Sequence, residues 1–214
     1  GDVYKRQQEQ DIITPELKAA GNELLYFTID KDEYDVPVYA QVMKLYDAVH
    51  VLIQKGAIVS AYALDGKGLA AALAKMAFGN KLGVTVDNDV PTDTLFAPGF
   101  GNIVAEVPAG KTAEVYEALQ NAGLSANVKR AGAVNEEAAF ICGDMKLAID
   151  EALNAWTGTL EKVFPTRATE DKEEVKTDLY HADSVYVCKH KVARPTVFIP
   201  VFPGTNCEYD SAKA

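Results

Sequence analysis

The loop Asp65-Gly66-Lys67-Gly68 combines an acidic residue, a basic residue and two glycines. It follows the apolar run Ile58–Leu64 and precedes the small and apolar residues of Leu69–Phe78, which predict a strand and a helix on either side. At such a turn, the backbone N–H groups that open a helix can face an anion such as phosphate. The spacing fits neither a Walker loop nor a dinucleotide fingerprint. On spacing alone, glycines that serve only the backbone turn are therefore the more common explanation.

Cys207 is a second candidate for chemistry, because it lies between a predicted strand at Val197–Phe202 and a helix that starts near Glu208. A helix N-terminus can activate a thiol, which would make Cys207 a nucleophile. The surrounding residues do not form the Gly-x-nucleophile-x-Gly elbow, and the nearest histidine, His190, precedes the strand. A structural or incidental cysteine is therefore the favoured interpretation.

Two groups of side chains have the chemistry of metal ligands, but neither pattern is strong. Cys188 and His190 have only His181 as a nearby third ligand, so a solvated segment is the better interpretation. The second group consists of three aspartates in one loop: Asp87, Asp89 and Asp93. Magnesium prefers such oxygen ligands, but acidic loops are common. We assign no metal site.

The composition of the 214 residues limits the classes of partner. The chain has 21 basic and 31 acidic side chains, a net charge of −10, and no basic stripe that would favour nucleic acid. Its apolar runs fall far short of the roughly 20 residues that span a bilayer. Three cysteines at unrelated spacings argue against a disulfide framework. We therefore expect a cytoplasmic protein.

Hydrophobic periodicity predicts alternating strands and helices between residues 20 and 163. Strands are predicted at 24–29, 58–64, 82–86, 102–107, 124–133 and 138–142. Helices are predicted at 38–54, 69–78, 111–121 and 147–163, with 88–100 mostly loop. This order predicts an α+β (mixed α/β) domain in which helices pack on a sheet.

Composition changes divide the chain into four predicted segments. Residues 1–10 are a polar leader, for which a native and a non-native origin both stay open, and 11–165 form the main domain. Residues 166–194 begin with a charged run and are predicted to be a linker, with a possible short edge strand at 185–187. Residues 195–214 give a strand, a glycine turn and a helix start, which predicts the truncated beginning of a doubly wound domain.

Four segments, which follow the family's order along the chain, resemble one enzyme family. Ile199–Asp210 looks like the start of the glutaminase domain of phosphoribosylformylglycinamidine synthase, the amidotransferase of purine synthesis. Ser60–Val84 is similar to the glycine-loop and helix block in the C-terminal domains of the aminoimidazole ribonucleotide synthetase superfamily. Leu95–Val107 resembles the strand region that follows, and Ala155–Pro165 the helix that closes the second such domain in the long, single-chain synthase. The resemblance covers residues 11–214.

The resemblance implies an ATP-dependent ligase. Glutamine is hydrolysed at the glutaminase site, ATP activates the amide oxygen of formylglycinamide ribonucleotide, and ammonia replaces that oxygen to give the amidine. The full enzyme is expected to use ATP, with ADP as product, and magnesium. Expected partners are the remaining domains of the same polypeptide and these small-molecule substrates, with no nucleic acid and no membrane.

The resemblance also implies which residues lie near ligands. Asp65, Gly66 and Gly68 match the nucleotide- or phosphate-binding loop, and Gly204 and Asn206 match a loop near the glutaminase pocket. The family's glutaminase nucleophile and its His and Glu partners lie far downstream of that second loop. We therefore assign no catalytic residue in this chain and expect the isolated fragment to be inactive.

The glycine loop departs from the superfamily pattern, which has a His and then an Asp followed by two adjacent glycines. Here Ala61 and Tyr62 lie around the His position, Asp65 is present, and the glycines are spaced as Gly66 and Gly68. This departure removes a titratable imidazole, which suits the second synthetase-like half that holds a nucleotide without turning it over. Two alternatives stay open: a non-catalytic nucleotide-binding or scaffold module, and another superfamily ligase fused to a glutaminase.

Overall fold

The computed structural model describes residues 12–165, 181–185, 187–194 and 196–213. The chain divides into two units, Gly1–Arg167 and Ala168–Ala214. The predicted leader, residues 1–10, and the first part of the predicted linker, residues 166–180, lie outside the described residues.

Seven strands form one mixed sheet in the first unit. They are β1 Glu23–Phe27, β2 Ser60–Ala63, β3 Gly83–Val86, β4 Ile103–Val107, β5 Val128–Asn135, β6 Ala139–Cys142 and β7 Met145–Ala148. Their spatial order is β2-β4-β1-β5-β3-β6-β7. Neighbouring strands are antiparallel except for β3 and β6, which are parallel. The predicted α+β class, with helices packed on a sheet, is confirmed.

Among the described residues, five helices lie in the first unit and one lies in the second. They are α1 Tyr39–Gln54, α2 Gly68–Asn80, α3 Thr92–Phe96, α4 Thr112–Asn121, α5 Ile149–Thr157 and, in the second unit, α6 Glu208–Lys213. A 3₁₀ turn, Ser125–Asn127, precedes β5. In the part of the chain that the structure describes, no helix has the length and apolar character needed to cross a membrane.

The central strands bury both of their faces. Leu24 of β1 contributes to a core that also contains α2, whereas its neighbour Leu25 contributes to a second core with α1 and α4. In β4, Val104 packs in the first of these cores and Ala105 packs in the second. Because successive side chains of a strand point to opposite faces, a sheet covered on both sides needs nearly continuous apolar runs. This requirement explains why apolar runs identified these strands in the sequence.

A buried carboxylate fixes the segment that precedes β1. Glu106 of β4 is fully buried. Its side chain accepts the backbone N–H of Lys18 at 2.8 Å and 3.0 Å through its two oxygens. It also accepts the N–H of Ala19 at 3.0 Å and the side-chain amide of Asn22 at 2.7 Å. These donors offset the cost of removing the carboxylate from water.

The segment held by Glu106 also contacts α2. Leu17 is fully buried, its N–H donates to the carbonyl of Met76 at 3.0 Å, and its own carbonyl accepts the Asn80 amide at 2.8 Å. The Ser60 hydroxyl of β2 donates to the carbonyl of Pro15 at 2.7 Å. The segment therefore links the C-terminal end of α2 to the sheet.

Gly132 permits a close approach between β3 and β5. The ladder between β1 and β5 shifts register between Leu24 and Leu25, which face Gly132 and Arg130, respectively. A Cβ atom at Gly132 would lie 2.1 Å from the carbonyl oxygen of Thr85 in β3. This distance leaves no room for a side chain, as expected where a bulge brings two backbones together.

Several predicted element boundaries differ from the structure. The strand predicted at 124–133 begins only at Val128, because Ser125–Asn127 form a 3₁₀ turn. The predicted helix 69–78 continues through Gly79 and ends at Asn80, and the next residue, Lys81, has a left-handed φ of 54°. The predicted helix 147–163 is wrong at both ends, because residues 145–148 form β7 and α5 ends at Thr157. In β7, Leu147 pairs with Phe140 across a hairpin, so its apolar character reflects a strand. The loop 88–100 contains the short helix α3.

In the second unit, the predicted helix begins at the expected residue, but the segment predicted to be a strand does not form one. Helix α6 starts at Glu208, whereas Val197–Phe202 is not a strand, and Phe198 is 87% exposed. A strand needs a neighbour for its backbone hydrogen bonds, and none of the described residues pairs with this segment. Val185 and Val187 also lie outside any strand, and Tyr186 lies outside the described residues.

Substitution of Gly132 by Ala should destabilise the first unit by about 2 kcal/mol or more, because the added methyl group meets the Thr85 carbonyl. Urea unfolding of the full chain measures this change. Gly66→Ala is the matched control, since its Cβ would lie 3.4 Å from the Phe100 ring and Gly66 does not have a left-handed φ. Equal destabilisation by both variants would contradict the packing explanation.

Substitution of Glu106 by Gln should cost about 1–3 kcal/mol, because the amide NH₂ cannot accept the bonds that the carboxylate receives. The free energy of unfolding and amide hydrogen exchange at Lys18 and Ala19 measure the effect. Exchange at both amides should accelerate in the variant. Unchanged protection there would show that Glu106 does not hold this segment.

Candidate functional site

Asp65 closes the glycine loop between β2 and α2. Its side chain accepts the backbone N–H of Lys67 at 2.8 Å, and its carbonyl accepts the N–H groups of Gly99 at 3.0 Å and Gly68 at 3.4 Å. The bond from Lys67 is the main reason that the pKa of Asp65 is lowered. The backbone N–H groups of Lys67 and Gly68, which the sequence suggested as donors to a phosphate, are therefore both bonded to Asp65.

The two loop glycines have different structural roles. Gly68 has a left-handed φ of 76°, and a Cβ there would lie 2.6 Å from the carbonyl oxygen of Leu95 and 2.7 Å from that of Ala97. Only glycine satisfies both constraints without displacing the end of α3. Gly66 has no such requirement, and its nearest neighbour is the Phe100 ring at 3.4 Å. The backbone explanation therefore accounts for Gly68 but leaves Gly66 unexplained.

Lys75 of α2 joins the loop to β2. Its ammonium group donates to the Tyr62 hydroxyl at 2.9 Å and lies 3.4 Å from the second carboxylate oxygen of Asp65. The hydrogen bond to Tyr62 is the main cause of the raised pKa of Lys75. Tyr62 lies near the position at which the family pattern has His. Its hydroxyl contacts Lys75, which also forms an ion pair with Asp65. Lys75 was missed in the sequence because it lies two helical turns beyond the loop.

An open cleft of about 690 Å³ lies beside this loop. Its lining comes from β1, the start of α2, the α3 region and β5: Tyr26, Thr28, Leu69, Asp89, Val90, Pro91, Thr94, Ala97, Pro98, Lys129, Arg130 and Ala131. The volume is within the range of small-molecule sites, and the lining combines apolar walls with a few polar groups.

Tyr26 is the buried polar group of this cleft. It is 8% exposed, and its phenolic oxygen accepts the Asn102 side-chain amide at 2.6 Å. Burial is the main cause of its raised pKa. Lys129 lies directly opposite Tyr26 in the β1–β5 ladder. The two residues are far apart in the sequence, so no local pattern could have paired them.

Arg130 is held by a carboxylate at the end of β3. Its guanidinium binds both oxygens of Asp87 and lies 3.8 Å from Glu23. The Asp87 bond is the main cause of the raised pKa of Arg130. Asp87, considered above as a magnesium ligand, therefore forms an ion pair. Among the described residues, no group of three or more His, Cys, Asp and Glu side chains could hold a metal ion.

The predicted positions of the second unit lie in an exposed turn before α6. Gly204 has a left-handed φ of 92°, and the N–H of Thr205 donates to the carbonyl of Phe202 at 2.9 Å, which closes the turn. Asn206 and Cys207 are exposed, and Cys207 is a free thiol. The role of Gly204 and Asn206 at a glutaminase pocket remains a prediction.

Comparison with known proteins finds sequence similarity to an enzyme subunit. No model of a known protein family matches the chain. The chain is 33% identical over 119 residues to phosphoribosylformylglycinamidine synthase subunit PurL from Nocardioides sp., over 54% of this chain and 14% of the relative. The same subunit from Carboxydothermus hydrogenoformans is 30% identical over 115 residues, 52% of this chain and 16% of the relative. The matches thus span about one sixth or less of these relatives.

Solved structures of Thermotoga maritima PurL share the fold. The structure complexed with AMPPCP superposes with a TM-score of 0.55 and 15% identity, over 66% of this chain and 27% of that protein. The structure complexed with FGAR gives a TM-score of 0.55 and 13% identity, over 66% of this chain and 29% of that protein. The seven-stranded α+β unit therefore has the fold of a part of PurL.

Substitution of Lys75 by Met should raise the pKa of Asp65 only part of the way to its ordinary value of 3.8, because the Lys67 N–H bond is the larger cause. NMR titration of the Asp65 carboxyl carbon measures this pKa, with Lys44→Met as a control on α1. Because the pKa of Asp65 is lower in the folded state than its ordinary value, ionised Asp65 stabilises the fold above pH 3.8. This contribution is lost as the pH falls through the lowered pKa of Asp65. A complete return to 3.8 would contradict the dominance of the backbone bond.

Proposed function

We propose that the chain is part of a phosphoribosylformylglycinamidine synthase, with residues 11–165 as the C-terminal domain of a synthetase-like half. The observation that carries this proposal is the 33% identity to PurL over 119 residues. The shared fold and the glycine loop between β2 and α2 support it. The proposed reaction of the whole polypeptide converts formylglycinamide ribonucleotide and glutamine to the amidine, at the expense of ATP and in the cytoplasm.

Within that enzyme, the domain would hold a nucleotide without turning it over. Tyr62 and Lys75 supply a hydroxyl and an ammonium group near the loop, and none of the described contacts of the loop in the first unit involves an imidazole. Asp65, the nearest carboxylate, already pairs with Lys75 and accepts the Lys67 N–H. Asp87 pairs with Arg130, so the described residues of this domain do not provide a carboxylate cluster for magnesium. These contacts favour a structural role.

A nucleotide phosphate fits the loop only in competition with Asp65. The groups that would hold the phosphate are the Lys67 N–H and the Lys75 ammonium, and both contact the Asp65 carboxylate. We therefore place the phosphate at the Asp65, Gly66 and Gly68 loop with Asp65 displaced. Removal of the carboxylate should relieve like-charge repulsion and release both donors.

Calorimetric titration of the full chain with ADP tests this role. We expect Asp65→Ala to bind ADP several-fold more tightly than the unmodified chain, Lys75→Met to bind more weakly, and no variant to hydrolyse ATP. Asp47→Ala, which removes an exposed carboxylate of α1, is the matched control. ADP binding that is absent in every variant, or ATP hydrolysis by the chain, would overturn the nucleotide-holding role.

Residues 195–214 are proposed to begin the glutaminase domain of the same polypeptide. The Gly204 turn and the start of α6 at Glu208 support this assignment, and Gly204 and Asn206 would lie near the glutamine pocket. The whole polypeptide should form ADP only when formylglycinamide ribonucleotide and an ammonia source are both present. ADP formation that does not depend on the ribonucleotide would point instead to a different superfamily ligase.

A further inference from the structure

The cleft beside the glycine loop contains a hydroxyl whose proton has no acceptor in the described part of the chain. The Asn102 side-chain oxygen accepts the backbone N–H of Ile29 at 2.9 Å, and this fixes the amide because a backbone N–H can only donate. The amide nitrogen of Asn102 therefore donates to Tyr26 at 2.6 Å. The phenolic oxygen of Tyr26 acts as an acceptor in this bond, so its own proton remains available.

The hydroxyl proton of Tyr26 is available to a ligand in the cleft. Tyr26 is 8% exposed and is one of the residues that line the cleft. The ordinary tyrosine pKa of about 10 already keeps the hydroxyl protonated at neutral pH, and burial raises the pKa of Tyr26 further. A buried hydroxyl that does not donate a hydrogen bond is costly, and an acceptor in the cleft would remove this cost.

Lys129 adds a positive charge on the same side of the sheet. It pairs directly with Tyr26 in the β1–β5 ladder, and side chains in such pairs begin about 5 Å apart. Lys129 is exposed and forms no ion pair with the described carboxylates, including Asp89 of the cleft lining. Arg130, the other cation of the lining, is bound to Asp87. Lys129 is therefore the cation that remains available to a ligand.

The other lining residues favour a ligand with an apolar body, that is, a ring-sized apolar group that carries the polar head group. Leu69, Val90, Pro91, Ala97 and Pro98 form walls without charge. A cleft of about 690 Å³ can accept a ring-sized group together with a polar head group. Apolar walls beside one hydroxyl donor and one ammonium group match an oxyanion carried on such a body.

We propose that this cleft binds a small molecule with a phosphate or carboxylate group on an apolar body, through the Tyr26 hydroxyl and the Lys129 ammonium. Asn102 positions the Tyr26 hydroxyl by occupying its oxygen. This oxyanion site is separate from the Lys67 and Lys75 donors at the glycine loop. It does not depend on the proposed function, because it follows from the contacts of β1 and β5.

Titration of the full chain with phenyl phosphate, benzoate and benzyl alcohol, followed by amide NMR shifts and calorimetry, tests the proposal. At least one of the two anions should bind at least about tenfold more tightly than neutral benzyl alcohol, with shifts at the cleft residues. Preference for phenyl phosphate identifies a phosphate ligand, and preference for benzoate a carboxylate. Lys129→Gln and Tyr26→Phe should each weaken binding of the preferred anion about tenfold, and Lys44→Gln should leave it unchanged.

Lys129→Gln keeps the test decisive if Tyr26→Phe disturbs folding, since Lys129 is exposed and outside the core. Contacts between the ring protons of the bound anion and the methyl groups of Leu69 or Val90 should also be visible in nuclear Overhauser spectra. Equal affinity for the anions and for benzyl alcohol would overturn the proposal. Unchanged anion affinity in a folded Lys129→Gln variant would overturn it as well.

Discussion

The buried carboxylate of Glu106 is the constraint on which the first unit depends. A charge inside a sheet is tolerated only when donors surround it, and here those donors are two backbone N–H groups and the Asn22 amide. To supply them, the segment around Lys18 must cross the sheet and approach α2, where Leu17 bonds to Met76. One side chain thereby sets the start of β1 and anchors the far end of α2.

The position of α2 in turn determines the glycine loop. Its first residue, Gly68, packs against the end of α3 so closely that no side chain fits. Two turns later, Lys75 reaches back to Asp65 and Tyr62. The loop is therefore held by packing on one side and by an ion pair on the other. An acidic side chain occupies the donors that a phosphate would otherwise use.

These contacts give the domain two different environments for an anion. The loop is satisfied internally by Asp65, whereas the adjacent cleft has a hydroxyl proton of Tyr26 and the charge of Lys129 without partners among the described residues. The proposed place in a PurL-like synthase is based on sequence similarity over about half of the chain, and the proposed structural role is based on the departure of the loop from the family pattern. Under that proposal, the loop would bind a phosphate without performing chemistry.

The amino-acid sequence alone determined the α+β class and most strands of the main sheet, because a sheet covered on both faces requires continuous apolar runs. It also determined the glycine loop and the helix start at Glu208. It could not separate β7 from α5, since short apolar runs suit both. Only the tertiary structure paired Tyr26 with Lys129 and placed Lys75 beside Asp65. Hydrogen bonds and ion pairs between distant residues depend on strand register and helix packing, which a local pattern does not contain.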